Sequence, residues 1–186
     1  MHMLWRTLTH ILIHSRRKPR LGQSDVARTT FRVAPTDLDL NRHMNNGKYL
    51  SIMDVGRFDL TVRSGVLAQS RSRGWYPVVV AETISFRKSL SPWQKFVIET
   101  RLIGFDERGI YLEQRFVAPD RTGVEEVYAR AFVCARFLKK SGGSVSVAEF
   151  AEVMGASSAP IPEWIQRWVA DTRLPSTRTP APSIWD

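Results

Sequence analysis

A chain of 186 residues is long enough for one ordinary domain with roughly 40–60 residues of extensions, and too short for two full domains. Hydrophobic residues at 43% and charged residues at 24% exclude both a disordered polymer and a multi-span membrane protein. Twenty-seven Lys and Arg against eighteen Asp and Glu leave a formal charge of +9, which favours anionic partners without choosing among nucleic acid, an acidic membrane surface and a phosphate-bearing ligand.

Residues 1–20 hold five of those bases and no acid. Over residues 3–13 (MLWRTLTHILI), Leu4, Trp5, Leu8, Ile11 and Leu12 share one face at helical spacing, with Arg6, Thr9 and His10 opposite. Residues 1–24 are therefore expected to form a basic amphipathic helix. Two roles are open to it: contact with an anionic membrane surface, aided by Arg16, Arg17 and Lys18, or docking on the protein's own core or a second subunit. The apolar run is too short and interrupted to span a bilayer, and no small-residue cleavage site follows, so neither a transmembrane helix nor a secretory signal is expected. The single cysteine, Cys134, leans toward a reducing compartment, and the localisation expected is cytoplasmic, with peripheral membrane contact if the helix serves as an anchor.

From residue 25 to 140 the pattern becomes that of a domain. Residues 28–34 read as a strand, 35–46 as a polar loop, and 47–64 as a largely buried helix carrying Leu50, Met53, Phe58 and Leu60. Four stretches rich in β-branched and aromatic residues follow, at 77–90, 95–104, 110–118 and 126–138. The turn sequences GFDERG (104–109) and PDRTG (119–123) join the last three as hairpins. The order is β-α-β-β-β-β. A mostly apolar helix followed by an antiparallel meander is buried only if the sheet wraps around it, which is an α+β fold. Its open sheet edges are most simply covered by a second subunit, so a homodimer or higher symmetric oligomer is expected. Residues 141–186 open with the flexible SGGS and continue as two short helices, VSVAEFAEVMG and PEWIQRWVADT, before a Pro- and Ser/Thr-rich coil.

The densest group of reactive side chains is residues 37–49, DLDLNRHMNNGKY, where Asp37, Asp39, Asn41, His43, Asn45 and Asn46 lie within ten positions just before the helix. A helix N-terminus offers unpaired N–H groups and a positive dipole end that suit a developing oxyanion, and a nearby carboxylate can act as base or nucleophile. The alternative is that Asp and Asn only cap the helix and shape a turn. No G-x-S-x-G elbow, G-x-G-x-x-G or P-loop is present, which argues against a serine hydrolase of that type and against the familiar nucleotide folds. His10 and His14 stand four apart without a third ligand, so they read as surface histidines, and no metal is expected. Cys134 reads as an inert buried thiol. Asp54 is either a second carboxylate facing the loop or an ordinary helix polar residue. Arg87 and Lys88 either meet coenzyme A phosphates or are exposed strand cations. Aromatics and bases interleave on the strands without a recognised nucleic-acid-binding motif, and no nucleic-acid partner is expected.

The string Asp37-Leu-Asp39-Leu-Asn41-Arg-His43-Met-Asn45-Asn46-Gly-Lys-Tyr49 resembles the signature of hotdog-fold thioesterases, and is similar to the Asp-x-Asn-x-His string of plant acyl-acyl-carrier-protein thioesterases. The stretch from Phe31 to about Val117 resembles single-hotdog members of the same superfamily. The resemblance implies an antiparallel sheet wrapped around a central helix. It also implies hydrolysis of an acyl-CoA or acyl-carrier-protein thioester, with no cofactor beyond the coenzyme A of the substrate. It makes Asp39 the catalytic carboxylate, as in 4-hydroxybenzoyl-CoA thioesterase-like enzymes, Asn41 and His43 its polar partners, and the Asn46 N–H the group that polarises the thioester carbonyl. Two other readings compete. One is a hydratase of the same fold, although its Asp-x-Asn-Pro-x-His motif carries a proline absent here and is one residue longer. The other is a non-catalytic lipid-binding or membrane-associated hotdog protein.

Overall fold

The computed structural model of the chain describes residues 18–176 and 179–183 together with Ser15. The helix expected over residues 3–13, with His10 and His14, lies outside these. Among the described residues, five strands and four α-helices run in the order β1 (Ala27–Arg32), α1 (Asn46–Arg63), α2 (Val66–Ser72), β2 (Trp75–Phe86), β3 (Lys95–Phe105), β4 (Ile110–Pro119), β5 (Glu125–Lys139), α3 (Val147–Met154) and α4 (Glu163–Asp171). The strands form one antiparallel sheet in the order β1-β3-β4-β5-β2, leaving β1 and β2 at its edges.

The expected β-α-β-β-β-β order is present, with differences that have local causes. The polar loop contains a 3-10 turn, Pro35–Asp37, seeded by proline at its first position. Helix α2 was not expected; it begins after Gly65, whose φ of 80° breaks α1 from it. β2 ends at Phe86 rather than residue 90, because the N–H groups of Arg87 and Lys88 both turn to the Tyr128 carbonyl.

Alternation builds the sheet's inner face. On β1, Ala27, Thr29 and Phe31 are buried while Arg28, Thr30 and Arg32 face water. Helix α1 lies on that inner face through Tyr49, Ile52, Met53, Gly56 and Leu60, which recur every three or four residues. Gly56 is the point of closest approach. A Cβ there would stand 2.8 Å from Thr100 Oγ1 and 3.0 Å from Gln114 Nε2. The helix is not purely apolar. Gln114 Nε2 donates to the Met53 carbonyl and to Thr100 Oγ1, at 3.0 and 2.9 Å, and Arg57 Nη1 donates to Gln114 Oε1 at 2.9 Å. Asp59, fully buried, accepts from Thr29 Oγ1 at 2.9 Å and pairs with Arg63 and Lys18. Burial pushes its carboxyl up, but the bonds from Ser15 and Thr29 together with the Lys18 and Arg63 cations outweigh this and hold it below the usual range.

The C-terminal helices pack onto the sheet. α3 places Phe150 between Phe105 and Phe137 at the end of the inner face, with ring centroids 5.0 and 5.5 Å away. α4 covers the opposite face, setting Ile165 and Val169 against Tyr111 and Cys134. Gly104 makes room for the connecting segment: a Cβ there would stand 2.5 Å from Ile161 Cδ1 and 2.8 Å from the Ala159 carbonyl oxygen.

Candidate active site

The loop that leads into α1 is held at three points. Buried Asp37 accepts from the Ala34 N–H at 2.9 Å, and its carbonyl accepts from Asn45 N at 2.8 Å. The Met44 N–H donates to the Leu90 carbonyl at 2.9 Å, and the Tyr49 hydroxyl accepts from Leu90 N at 3.3 Å, so the β2–β3 connection clamps the loop from the side. The Tyr49 ring is packed edge-on to Phe86 and tilted on Phe116, with centroids 5.0 and 4.7 Å away. Burial raises its hydroxyl pKa against the opposing Leu90 bond, so it stays a neutral phenol that braces the loop.

Within this frame Asp39 folds the turn. Its Oδ1 accepts from Asn41 N at 2.9 Å and His43 N at 3.1 Å. The backbone closes the same turn, with Asp39 N donating to the His43 carbonyl at 2.8 Å and Arg42 in the left-handed region at φ 60°. The turn-shaping role weighed from the sequence is therefore real, and it occupies one oxygen of the two. Asp39 Oδ2 has no hydrogen-bond partner among the described residues. Asn41 and His43 carry exposed side chains on the same turn, and Leu40, just before Asn41, is fully exposed. Asn45 caps α1, its Oδ1 accepting from Gly47 N at 2.9 Å. The next N–H, that of Asn46, has no partner among the described residues and stands at the positive end of an 18-residue helix. The fold thus gathers Asp39, Asn41, His43 and Asn46 into one turn, placing a carboxylate oxygen and a helix-terminal N–H within the same short loop.

Arg87 and Lys88 are placed differently from open strand cations. Arg87 donates to the Val127 carbonyl at 3.2 Å and to Glu126 Oε1 at 3.4 Å, while Lys88 pairs with Glu126 and lies 5.7 Å over the Tyr128 ring. Glu126 neutralises one of the two charges. Its carboxyl is held below the usual range by the Lys88 and Arg87 bonds. Asp54 is exposed and paired with Arg57. Cys134 is buried, and burial pushes its thiol up to about 11 against the opposing charge of Arg136.

A cavity of about 170 Å³ lies between the second half of α1, the first half of β2 and helix α3. Phe58, Leu102, Leu112, Phe137, Phe150 and Met154 give it apolar walls, and Asp54 and Arg57 stand at one end. Arg57 reaches Glu82 Oε2 at 3.5 Å as well as Gln114, so three partners hold it at the rim. The i,i+3 pair of opposite charges on α1 is a visible pointer toward Arg57, whereas nothing local points to Glu82 or to the C-terminal walls.

An antiparallel sheet wrapped around one helix, with a polar turn at that helix's N-terminus, defines the hotdog class of thioesterase folds. Solved structures agree. The probable thioesterase YbaW from Escherichia coli superposes with a TM-score of 0.62 over 69% of this chain and 96% of its own, at 22% identity. A 4-hydroxybenzoyl-CoA thioesterase variant complexed with 4-hydroxybenzoyl-CoA superposes with a TM-score of 0.63 over 69% and 98%, at 16% identity. Residues 33–169 match the model of the thioesterase-like superfamily, and the chain belongs to that family. Among named relatives it is similar to Protein THEM6 of Danio rerio, 33% identical over 138 residues covering 74% of this chain and 66% of that protein. Protein THEM6 of Xenopus laevis is 45% identical over 86 residues, 46% of this chain and 42% of that protein. The chain spans from about two-fifths to two-thirds of the length of these relatives.

Proposed function

We propose that the protein is a thioester hydrolase that cleaves a fatty acyl-CoA, or a related acyl thioester, to free acid and thiol. The observation that carries this reading is that one clamped turn carries both Asp39 Oδ2 and the Asn46 N–H, neither of which has a hydrogen-bond partner among the described residues. The N–H would hold the thioester carbonyl oxygen as negative charge develops on it. Asp39 would take a proton from the water that attacks the carbonyl carbon, the C–S bond would break, and the departing thiolate would recover a proton. Direct attack by Asp39, with hydrolysis of the resulting anhydride, gives the same products. His43 would orient the water or relay the proton, and Asn41 would supply a further polar contact. Arg87 and Lys88, together one cation in excess of Glu126, would meet coenzyme A phosphates.

A symmetric dimer belongs to this reading. The turn and the cavity lie on the same helix but apart, since the eight residues from Asn46 to Asp54 rise about 12 Å. Edge strand β2 exposes Tyr76, Val79, Val80 and Phe86. Pairing two such edges about a two-fold axis would cover them and set the start of one α1 beside the cavity of the other subunit. A basic N-terminus at an anionic membrane surface is a separate proposal that rests on sequence alone. Deleting residues 1–20 should abolish sedimentation with anionic liposomes, and unchanged sedimentation would refute it.

The test of the function is turnover by the purified protein, following free thiol release from acyl-CoAs. Release of thiol with saturable kinetics is expected. Hydration of an enoyl-CoA without thiol release would make the protein a hydratase, and fatty-acid binding with no turnover would make it a lipid-binding member of the fold.

A further inference from the structure

We propose that the segments flanking the hotdog core set the length of acyl chain the protein accepts, with Met154 as the residue against which the chain ends. The inference rests on the thioester-hydrolase reading above. The cavity is lined mostly by apolar groups, and its two charged residues are Asp54 and Arg57. Asp54 and Arg57 lie toward the start of α1, while Val66, Phe150 and Met154 lie toward its C-terminal end. That lining fits a hydrocarbon tail whose polar head stays toward Asp54 and Arg57. From Asp54 to Ser64 the cavity follows ten residues of α1, about 15 Å, which suits a chain of intermediate length and excludes a fully extended long one.

The far wall belongs to neither the sheet nor α1. It is made by α3 and by Gly22 and Gln23 of the arm that precedes β1. The arm is fastened to α1: Leu21 N donates to the Arg63 carbonyl at 3.2 Å, Arg63 Nε donates to the Pro19 carbonyl at 3.0 Å, and Lys18 pairs with buried Asp59 at 3.5 Å. Gln23 Nε2 then donates to the Ser157 carbonyl at 3.1 Å, tying the arm to the segment after α3. Gln69 Nε2 donates to the Val153 carbonyl at 3.2 Å, tying α3 to α2. A wall fastened from two sides holds its position when a chain presses on it. Phe150 is locked between Phe105 and Phe137, whereas Met154, in the last turn of α3, is half-buried, unbranched and adaptable. It is the part of the wall whose size can be changed without opening the aromatic stack.

The experiment uses the full chain and the variants Met154→Ala, Met154→Trp and Met154→Leu. Displacement of bound cis-parinaric acid by straight-chain fatty acids from butanoate to stearate reads binding without any need for turnover, and acyl-CoA hydrolysis over the same lengths reads the reaction. The parent should prefer an intermediate length. Met154→Ala should move the preference to longer acids, with about fourfold in affinity for each additional buried methylene. Met154→Trp should weaken the longest acid bound by the parent by about tenfold or more, and Met154→Leu should keep the parent profile. Identical profiles in all four proteins, or no fatty-acid binding by the parent, would overturn the proposal. A moving binding profile without thiol release would uphold the length limit and refute the hydrolase reading. Thiol release with unmoved profiles would do the reverse. Should Met154→Trp not fold, the Met154→Ala shift decides alone.

Discussion

Asp39 divides its two oxygens between structure and the proposed chemistry, and this makes its substitution informative. Asp39→Asn keeps an acceptor for the Asn41 and His43 N–H groups and removes the charge. The melting temperature should therefore stay near the parent's while thioester turnover falls by about 10² to 10⁴, or about 3 to 5.5 kcal/mol of transition-state stabilisation. Turnover near the parent's at an unchanged melting temperature would move the chemistry elsewhere. The matching change at Asp37, buried and turned to the Ala34 N–H, should cost far less in rate. Glu113 presents a second residue-scale case. Only 2% exposed on β4, it takes ion pairs from Arg101, Arg115 and Arg130. Burial pushes its carboxyl up, and the three arginine bonds outweigh that and hold it below the usual range. A carboxyl depressed in the fold contributes stability that is complete above the unfolded value of about 4.3 and is lost as pH falls through the lower folded one. Glu113→Gln should destabilise by about 1–3 kcal/mol at neutral pH, kept modest because the arginines reach water, and the difference from the parent should shrink on acidification. Melting curves across pH check both statements, and a difference constant with pH would refute the linkage.

At the scale of elements, α1 was read almost residue for residue, since Asn45 caps it and Gly65 ends it by local chemistry. Gly56 shows where local reasoning fails. In a free helix Gly56→Ala would gain about 1 kcal/mol of propensity. Here the new methyl would meet Thr100, Gln114 and Ile98 at 2.8, 3.0 and 3.2 Å, and overpacking of that kind costs about 1–3 kcal/mol. The contact should win, lowering the melting temperature, and Gly56→Val should lower it further. A stabilised Gly56→Ala protein would show that the helix can lift from the sheet at little cost. Helix α2 was missed because seven residues after a positive-φ glycine carry too little periodicity to be seen.

For the whole molecule, the exposed apolar edge of β2 is the feature a single chain leaves unsolved. Light scattering at micromolar concentration should give a dimer or a larger symmetric assembly, and a monomeric mass would refute it. Val80→Lys places a charge on that edge and should shift the assembly toward monomer while the helix and sheet signals persist. The family match runs on to residue 169, and α3 and α4 pack against the sheet at its two faces.

The order of elements, the sheet's two-faced character and the Asp39-to-Asn46 turn were legible in the amino-acid sequence because each is written in neighbours. Alternation, caps and turns act over two to four residues, and the turn's hydrogen bonds join residues two to four apart. Other features depend on contacts between distant parts of the chain. Arg57 meets Gln114 across 57 positions, Gln23 reaches Ser157 across 134, and Glu113 draws its arginines from three strands. Packing chose those partners, since a cavity wall or a buried charge is satisfied by whatever the folded sheet brings within a few ångströms, and no local pattern records that choice.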